Sequence, residues 1–356
     1  MKAVHVVVPD GIDDPGRPSG GNVYDRRLID CLASAGWVVD VHPVAGSWPE
    51  AGPAPRERLS LVLAGMAEET VVLVDGLIAS AVPEVLVPES RRLRVVVLVH
   101  LPLGGRDDPE ATTLEGLVLS AAEAVVTTSG WTRDRVLELY ALPPQRVHVA
   151  SPGAARSAAV RGTPQGRQLL CVAALTRDKG HDVLLAALGK VSDLEWSLVC
   201  VGSRDVDQAY ARELAAFAGE LGIGGRVCFV GPRTGAQLAA SYTAADVVVL
   251  PTRIESYGMV LTEALARGIP VIASAVGGVP EALGTTSQEE GPDLRVPGLL
   301  VPAGDAGALA DALRRWLEVP ELRLTLRKNA LERRASLTGW DVTADRVARV
   351  LTGVRS

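Results

Sequence analysis

The chain has 356 residues, 47% of them hydrophobic, and a formal net charge of −6 at pH 7. This length suits two domains of ordinary size, each able to bury a core, and the hydrophobic content excludes a disordered chain. The acidic excess lies in the first 155 residues and only 4% of residues are aromatic, so nucleic acid and anionic membrane surfaces are poor partners.

The cysteines indicate a reducing compartment. Cys31, Cys171, Cys200 and Cys228 are far apart and lack the spacing of a metal site, so free thiols are expected. The apolar run at the N-terminus is too short for a signal sequence, and no window reaches the roughly 18 apolar residues of a membrane span. The sequence predicts a cytoplasmic protein without a transmembrane segment, and it does not indicate an oligomeric state.

Apolar runs alternate with helical stretches twice along the chain. Buried parallel strands are typically such continuous runs. This alternation predicts an α/β fold with two doubly wound parallel sheets, whose ligands bind at the carboxyl ends of the strands and in the cleft between the domains. Helices are expected between the strands, for example at Val23–Ala35 and Thr112–Ala122. The predicted strands are Val4–Val8, Val38–His42, Val71–Asp75, Val95–His100, Ala124–Thr128 and Val147–Ala150, then Leu169–Ala173, Leu198–Gly202, Val227–Val230, Val247–Leu250, Val271–Ala273 and Leu299–Val301.

Two loops of the first half could carry chemistry. Gly20 and Gly21 precede the first helix, where backbone N–H groups can approach a phosphate closely, although a plain turn is the commoner reason for such a pair. His100 ends a central apolar run, where sites gather, but a lone histidine there is more often structural. The other histidines, His5, His42, His148 and His181, are expected to be structural or exposed, without partners at useful spacing.

The stretch from Pro251 to Glu281 carries the densest pattern. A polar loop, Thr252–Tyr257, leads into a predicted helix, Gly258–Arg267, and seven residues separate Glu255 from Glu263. Eight residues of helix span roughly 12 Å, comparable to a nucleotide sugar from hexose to ribose. A helix N-terminus between two carboxylates suits a diphosphate, and carboxylates accept hydrogen bonds from sugar hydroxyls. Two glutamates alone are more often a loop charge and a solvated helix residue.

The whole stretch resembles the donor-binding signature of the retaining nucleotide-sugar glycosyltransferases of family 4, which have the GT-B fold. The motif E-S-Y-G-M-V-x-x-E-A-L-A-x-G-x-P-V, followed by G-G-V-P-E, matches without a gap over Glu255–Glu281. The resemblance is weak before Arg94 and strong from Leu169 to Asp305. It implies a Rossmann-like acceptor domain at residues 1–155, a linker at 156–168, a Rossmann-like nucleotide-sugar domain at 169–338, and a last helix, 339–356, that crosses back to the first domain.

The resemblance implies transfer of a hexose from a UDP- or GDP-sugar to an acceptor hydroxyl, with retained configuration and without a metal or other cofactor. A soluble small molecule or a glycan is favoured as the acceptor. Glu255 would hold the sugar hydroxyls and Glu263 the ribose. The other residues expected to line the donor site are Ser256, Tyr257, Gly258, Met259 and Val260.

The resemblance also assigns the remaining site residues. Lys179 matches a lysine that binds the diphosphate, but Ala174 stands where the family has an arginine, and Arg177 is predicted to replace it. Gly20 and Gly21 would close over the diphosphate, Arg233 would stack on the base, and His100 would orient the sugar or the acceptor. The loop 101–108 would line the acceptor pocket. The predicted catalytic residues are His100, Arg177, Lys179 and Glu255.

Two alternatives stay open. Asp205-Val-Asp207 matches the D-x-D motif that holds a metal in the other main glycosyltransferase fold. Here the motif lies in a loop that varies within the GT-B family, so a solvated loop without a metal is favoured. The same fold could also serve a hydrolysing epimerase or a nucleotide-sugar-binding protein that has lost turnover. The second alternative is suggested by Ala174, which stands where the family has an arginine.

Overall fold

The computed structural model describes residues 2–105, 108–284 and 296–355. Within these ranges the strands are β1 (Ala3–Pro9), β2 (Val38–Val44), β3 (Val71–Asp75), β4 (Arg94–Val99), β5 (Ala124–Thr127), β6 (Val147–Val149), β7 (Gln168–Val172), β8 (Ser197–Val201), β9 (Val227–Gly231), β10 (Val247–Leu250), β11 (Val271–Ser274) and β12 (Gly298–Val301). The helices are α1 (Gly20–Ser34), α2 (Pro53–Ala64), α3 (Gly76–Ala79), α4 (Pro83–Glu89), α5 (Pro109–Ala121), α6 (Gly130–Tyr140), α7 (His181–Lys190), α8 (Gln208–Glu220), α9 (Gly235–Thr243), α10 (Met259–Leu265), α11 (Val279–Leu283), α12 (Ala306–Glu318), α13 (Pro320–Ser336) and α14 (Trp340–Gly353).

The first compact unit combines Met1–Asp13, Gly20–Gly153 and Gly339–Ser356. Its six-stranded sheet is parallel, in the order β2-β1-β3-β4-β5-β6. All residues of β3 are buried, as expected for a parallel strand with helices on both faces. In this unit the ring of Trp340, on α14, lies edge-on to Tyr24 of α1 at 5.4 Å between centroids, which fixes the last helix on the first.

The second compact unit combines Asp14–Ser19 and Ala154–Thr338. Its six-stranded parallel sheet has the order β12-β11-β10-β7-β8-β9. Separate apolar clusters cover its two faces: one contains Leu184, Leu313 and Trp316, and the other contains Leu250 and Leu265. The sheet is therefore doubly wound: β8 and β9 follow on one side of β7, and β10, β11 and β12 follow on the other.

The predicted α/β fold with two doubly wound parallel sheets is confirmed, and the predicted strands lie within two residues of the observed ones. The helix after β10 is shorter than predicted. Gly258 has a left-handed φ of 96°, outside the helical range, and a turn begins at Ala266. Glu255 lies in the loop before α10, so the helical rise does not set its separation from Glu263 and the 12 Å estimate does not apply.

The prediction that His5 and His42 have no partners is wrong. Parallel pairing of β1 with β2 brings His5 Nδ1 to 2.8 Å from His42 Nε2, across 37 residues of sequence. His181 also has a neighbour, because its Nε2 lies 3.6 Å from the Cys171 sulfur. Sequence spacing did not reveal these pairs, since the strand register creates them.

No helix in the described ranges has both the length and the apolar character needed to cross a bilayer.

Candidate functional site

The two loops that carry the strongest sequence pattern leave neighbouring strands at the reversal point of the second sheet. One follows β7 and ends in a 3₁₀ turn at Arg177–Lys179; the other follows β10 and runs from Pro251 to Gly258. Crevices at such reversal points, outside the carboxyl ends of the strands, are where open α/β sheets bind ligands.

Hydrogen bonds tie these two loops together. Arg253 donates its backbone N–H to the carbonyl of Asp178 at 2.7 Å, and Thr252 donates its hydroxyl to the same carbonyl at 3.1 Å. This brings Lys179 Nζ to 3.1 Å from Glu255 Oε2, with 27% and 17% of the two side chains exposed. A cation and a carboxylate thus lie side by side after the carboxyl ends of β7 and β10, and such a pair can bind a phosphate and a hydroxyl group.

A partly exposed ion pair, between Arg253 and Asp182, reinforces this arrangement. The guanidinium of Arg253 donates to both oxygens of Asp182 at 2.9 and 2.7 Å, and the Tyr210 hydroxyl donates to the same carboxylate at 2.7 Å. Burial alone would raise the pKa of Asp182, but the hydrogen bonds from Arg253 and Tyr210 more than offset this and lower it to about 2.

This shift predicts an acid-sensitive contribution to stability. The folded pKa of Asp182 is below the value of about 3.9 in unfolded chains, so the contribution is fully present above pH 4 and is lost as the pH falls towards 2. Asp182→Asn should lower the urea midpoint at pH 7, and the difference from wild type should shrink below pH 4. Asp311→Asn, at an exposed position of α12, is the control. A difference that stays constant with pH would rule out this role for the carboxylate.

Glu263 is held in place by a hydrogen bond from a buried tyrosine. The fully buried Tyr242 donates its hydroxyl to Glu263 Oε2 at 2.7 Å. Burial, followed by the nearby Glu263 carboxylate, raises the pKa of Tyr242 well above its ordinary value, so the hydroxyl keeps its proton and remains a donor. The guanidinium of Arg267 lies 4.5 Å from the centre of the same ring. These contacts hold one carboxylate oxygen in place on the half-exposed face of α10.

Close packing shapes the loop between the two glutamates. Gly278 donates its N–H to the carbonyl of Glu255 at 3.1 Å. A Cβ atom on Gly278 would overlap the carbonyl oxygen of Ser256 and would lie 3.0 Å from Tyr257 Cα. Tyr257 is buried, whereas Met259 and Val260 are partly exposed at the start of α10. Gly278 therefore allows the backbone that carries Glu255 to pack against α11.

Two predicted site residues have other partners in this structure. Arg177 pairs with Glu213 of α8 at 2.6 Å, and its guanidinium lies 4.8 Å from the centre of the Tyr210 ring. Arg233 donates to the Ser241 hydroxyl at 2.9 Å. The structure thus brings Lys179 to Glu255 but directs Arg177 to α8. Asp207 caps α8 by accepting from the N–H of Tyr210 at 2.9 Å.

A second cluster lies at the reversal point of the first sheet, between β1 and β3. His100 follows β4, Asp75 ends β3, and Asp25 lies on α1. His100 Nε2 is 2.8 Å from Asp25 Oδ1 and 3.4 Å from Asp75 Oδ2, and both carboxylates are at least 95% buried. Burial lowers the pKa of His100, but the two carboxylates outweigh it and raise the pKa, which favours the imidazolium ion.

Sequence reasoning singled out His100 but missed both aspartates. A signal was present for Asp25, which lies on the same face of α1 as the core residues Leu28, Ile29 and Leu32. Gly21 belongs to this cluster as well, because a Cβ atom there would lie 3.3 Å from His100 Cδ2. Gly20 is the first residue of α1. Arg106 and Asp107, in the predicted acceptor loop, lie outside the described residues.

Asp25→Asn should lower the pKa of His100. The substitution keeps the side-chain shape but removes one of the two charges that offset burial. Titration of ¹⁵N-labelled histidine by NMR measures this pKa. Asp134→Asn, an exposed position on α6, should leave the titration unchanged. An unchanged His100 titration in Asp25→Asn would show that the contact does not control the charge of the ring.

Comparisons with known proteins show the family of this chain. Residues 158–333 match the family model described as glycosyl transferases group 1. A D-inositol 3-phosphate glycosyltransferase of Catenulispora acidiphila is 31% identical over 296 residues, which cover 78% of this chain and 68% of that protein. The chain belongs to the group 1 glycosyl transferases.

Other relatives of this group 1 glycosyl transferase support the assignment. A D-inositol 3-phosphate glycosyltransferase of Saccharomonospora viridis is 34% identical over 68% of this chain and 59% of that protein. The chain thus spans about two thirds or less of the length of these relatives.

Solved structures share the fold. A sucrose-phosphate synthase of Thermosynechococcus elongatus matches 99% of both chains with a TM-score of 0.78 and 26% identity. HepE of Anabaena, solved in complex with UDP-glucose, matches 99% of this chain and 100% of its own with a TM-score of 0.76, and at 17% identity it shows the fold alone. The predicted GT-B fold class is thereby confirmed.

Proposed function

We propose that this group 1 glycosyl transferase is a retaining enzyme of family 4, which moves a hexose from a nucleotide diphosphate sugar to an acceptor hydroxyl. The observation that carries the proposal is the pair of Lys179 Nζ and Glu255 Oε2, 3.1 Å apart where the second sheet reverses its order. An ion pair that only stabilises the fold could lie anywhere in the structure. A nucleotide-sugar donor needs a cation near its diphosphate and, beside it, a carboxylate that accepts hydrogen bonds from the sugar hydroxyls.

Each donor-site residue has a proposed role. Glu255 accepts hydrogen bonds from sugar hydroxyls, and Glu263, held by Tyr242, accepts from the ribose. Ser256, Tyr257, Gly258, Met259 and Val260 line the donor between them. Arg233 contributes to the base pocket. In the first unit, Gly20 and Gly21 contact the diphosphate through their backbone, and His100 orients the sugar or the acceptor by hydrogen bonding.

The proposed chemistry needs no protein nucleophile. The bond between the anomeric carbon and the leaving phosphate oxygen breaks, and a bond from the acceptor oxygen to the same carbon forms on the vacated face. The acceptor proton passes to the leaving phosphate. Lys179 stabilises the negative charge that develops on the diphosphate, which is the usual way in which a fixed cation lowers such a barrier.

Arg177 is proposed as the second cation, in place of the family arginine absent at Ala174. It would have to leave Glu213 when donor binds, because the two are paired at 2.6 Å in the structure. The exposed pair, with 67% and 57% of the side chains in solvent, is inexpensive to break. Arg177→Ala separates the alternatives: a loss of activity supports the second cation, and wild-type activity shows that Lys179 acts alone.

A second candidate is a nucleotide-sugar-binding protein with lost or altered activity. Ala174 and the engagement of Arg177 with Glu213 favour it, because both remove positive charge from the diphosphate position. An epimerase of the same fold belongs to this alternative. Turnover with an acceptor is the property that separates it from a transferase.

Donor and acceptor are proposed by class. UDP- and GDP-sugars are the proposed donors, without a required metal, and a soluble small molecule or a glycan is the proposed acceptor. D-Inositol 3-phosphate, named for the relatives, is the first compound to test. A cytoplasmic location also stays a prediction.

The test combines purified protein with UDP- or GDP-sugars, candidate acceptors and EDTA, and follows the released nucleoside diphosphate. NMR of the product gives its anomeric configuration. The proposal expects acceptor-dependent release and a product with the configuration of the donor. Release of free sugar or an epimer, independent of acceptor, would instead support the altered-activity alternative, and an inverted product would contradict retention.

A further inference from the structure

Two histidines and an aspartate converge on one face of the first sheet, in a part of the chain that the proposed transfer reaction does not use. Parallel pairing sets His5 of β1 opposite Asp40 of β2, and Val7 opposite His42. Paired residues and residues two apart along a strand point to the same face. The strand register therefore brings the side chains of His5, Asp40 and His42 together.

The three side chains present one donor atom each to a common point. His5 Nδ1 lies 2.8 Å from His42 Nε2, and Asp40 Oδ2 lies 3.4 Å from the first nitrogen and 3.5 Å from the second. A circle through the three atoms has a radius of about 1.9 Å, slightly less than the Zn–N and Zn–O distances of about 2.0–2.2 Å. One ion just above their plane can therefore bond to all three atoms without moving the strands.

The rings are held in place and open to solvent. The two imidazoles stack with centroids 5.1 Å apart and an interplanar angle of 14°. Exposed fractions of 29% for His5, 24% for His42 and 59% for Asp40 leave a path for an ion and its water ligands. Either one ring donates its N–H to the other at 2.8 Å, or the two nitrogens and the carboxylate oxygen together hold a cation.

We propose that His5, Asp40 and His42 form a binding site for a divalent first-row transition metal, with Zn²⁺ as the reference ion. Two imidazole nitrogens and one carboxylate suit Zn²⁺, Co²⁺, Ni²⁺ and Cu²⁺, whereas Mg²⁺ and Ca²⁺ prefer all-oxygen sets. Three protein ligands leave at least one position for water. Because β2 is the edge strand and contributes two of the ligands, the ion fastens this edge to β1.

This metal site is independent of the proposed transfer reaction. His5 lies in the middle of β1, before its carboxyl end, and its partners lie on β2, whereas Lys179 and Glu255 belong to the second unit. EDTA should therefore remove the ion without abolishing transfer, so failure of one proposal leaves the other standing.

The experiment titrates ZnCl₂ into metal-free protein without a histidine tag, by isothermal calorimetry, and records the visible spectrum with CoCl₂. We expect one ion per chain, a cobalt spectrum without thiolate charge transfer, a rise in the unfolding temperature with Zn²⁺, and no such response to MgCl₂. His42→Ala and Asp40→Asn should weaken Zn²⁺ binding by at least about 10-fold, since even residues outside the ligand set cost that much in metal sites.

Matched controls make the result decisive. His148→Ala removes a histidine from β6, at the opposite edge of the same sheet, and Cys228→Ser removes an exposed thiol; both should bind Zn²⁺ as wild type does. The exposed position of Asp40 allows Asp40→Asn to fold, which circular dichroism checks. Absence of stoichiometric binding, or equal binding by Asp40→Asn, His42→Ala and wild type, would overturn the proposal and leave a shared proton between the rings.

Discussion

Lys179→Gln should lower kcat/KM for nucleotide sugar by about 100- to 1,000-fold, the usual cost of losing one fixed group that stabilises transition-state charge. Glutamine removes the charge and is only one atom shorter than lysine, and the hydrogen bonds of Thr252 and Arg253 to the Asp178 carbonyl do not involve this side chain, so the two loops should stay in place. The loss should fall mainly on kcat, because charge on the diphosphate grows as the bond to the sugar breaks.

The control for this prediction is Lys190→Ala. Lys190 lies at the exposed C-terminal end of α7, the helix that follows the turn with Lys179. This variant should keep wild-type kinetics. Steady-state rates of nucleoside diphosphate release compare the two, and equal rates for Lys179→Gln and wild type would exclude Lys179 from the diphosphate site.

Gly278→Ala should destabilise the second unit and weaken donor binding. The backbone of Gly278 is at φ −82° and ψ 3°, which alanine adopts without strain, so the whole cost comes from overlap with Ser256 and Tyr257. Forcing atoms into a packed site costs about 1–3 kcal/mol. Relief of the overlap must move the loop that carries Glu255, because the added methyl meets backbone atoms rather than a flexible side chain.

Urea unfolding and calorimetric titration of nucleotide measure the two effects. Gly219→Ala is the matched control, since Gly219 lies within α8 and a Cβ atom there meets nothing within 4 Å. It should be neutral or stabilising by up to about 1 kcal/mol, as alanine favours helix over glycine. Wild-type stability and affinity in Gly278→Ala would show that the loop tolerates displacement, contrary to the packing argument.

The fold could be predicted from the sequence because its strands are local signals. Runs such as Val71–Val74 and Val247–Leu250 are continuously apolar, and a parallel strand covered on both faces needs that composition. The Glu255 and Glu263 motif is also local, so the loop and helix of the donor site could be located. The start of α10 after Gly258 depended on a left-handed φ that the pattern did not reveal.

The partners of the site residues could not be predicted, because they come from distant elements. Arg177 meets Glu213 only after α8 packs beside the 3₁₀ turn, and the Asp25–His100 contact joins residues 75 positions apart. Nor does sequence spacing reveal that His5 and His42 touch, since that depends on the register of β1 and β2. Tertiary packing decides these pairs, and no local propensity encodes them.

The most direct test of the central claim is calorimetric titration of UDP, GDP and their sugars into wild-type protein and into Glu263→Gln, in EDTA. Glu220→Gln, at the exposed end of α8, is the control. We predict that wild type and Glu220→Gln bind one nucleotide family with one site per chain, and that Glu263→Gln binds it more weakly through the loss of the ribose contact. No binding of any nucleotide or nucleotide sugar to the folded wild-type protein would contradict the donor site, and the proposed transfer reaction with it.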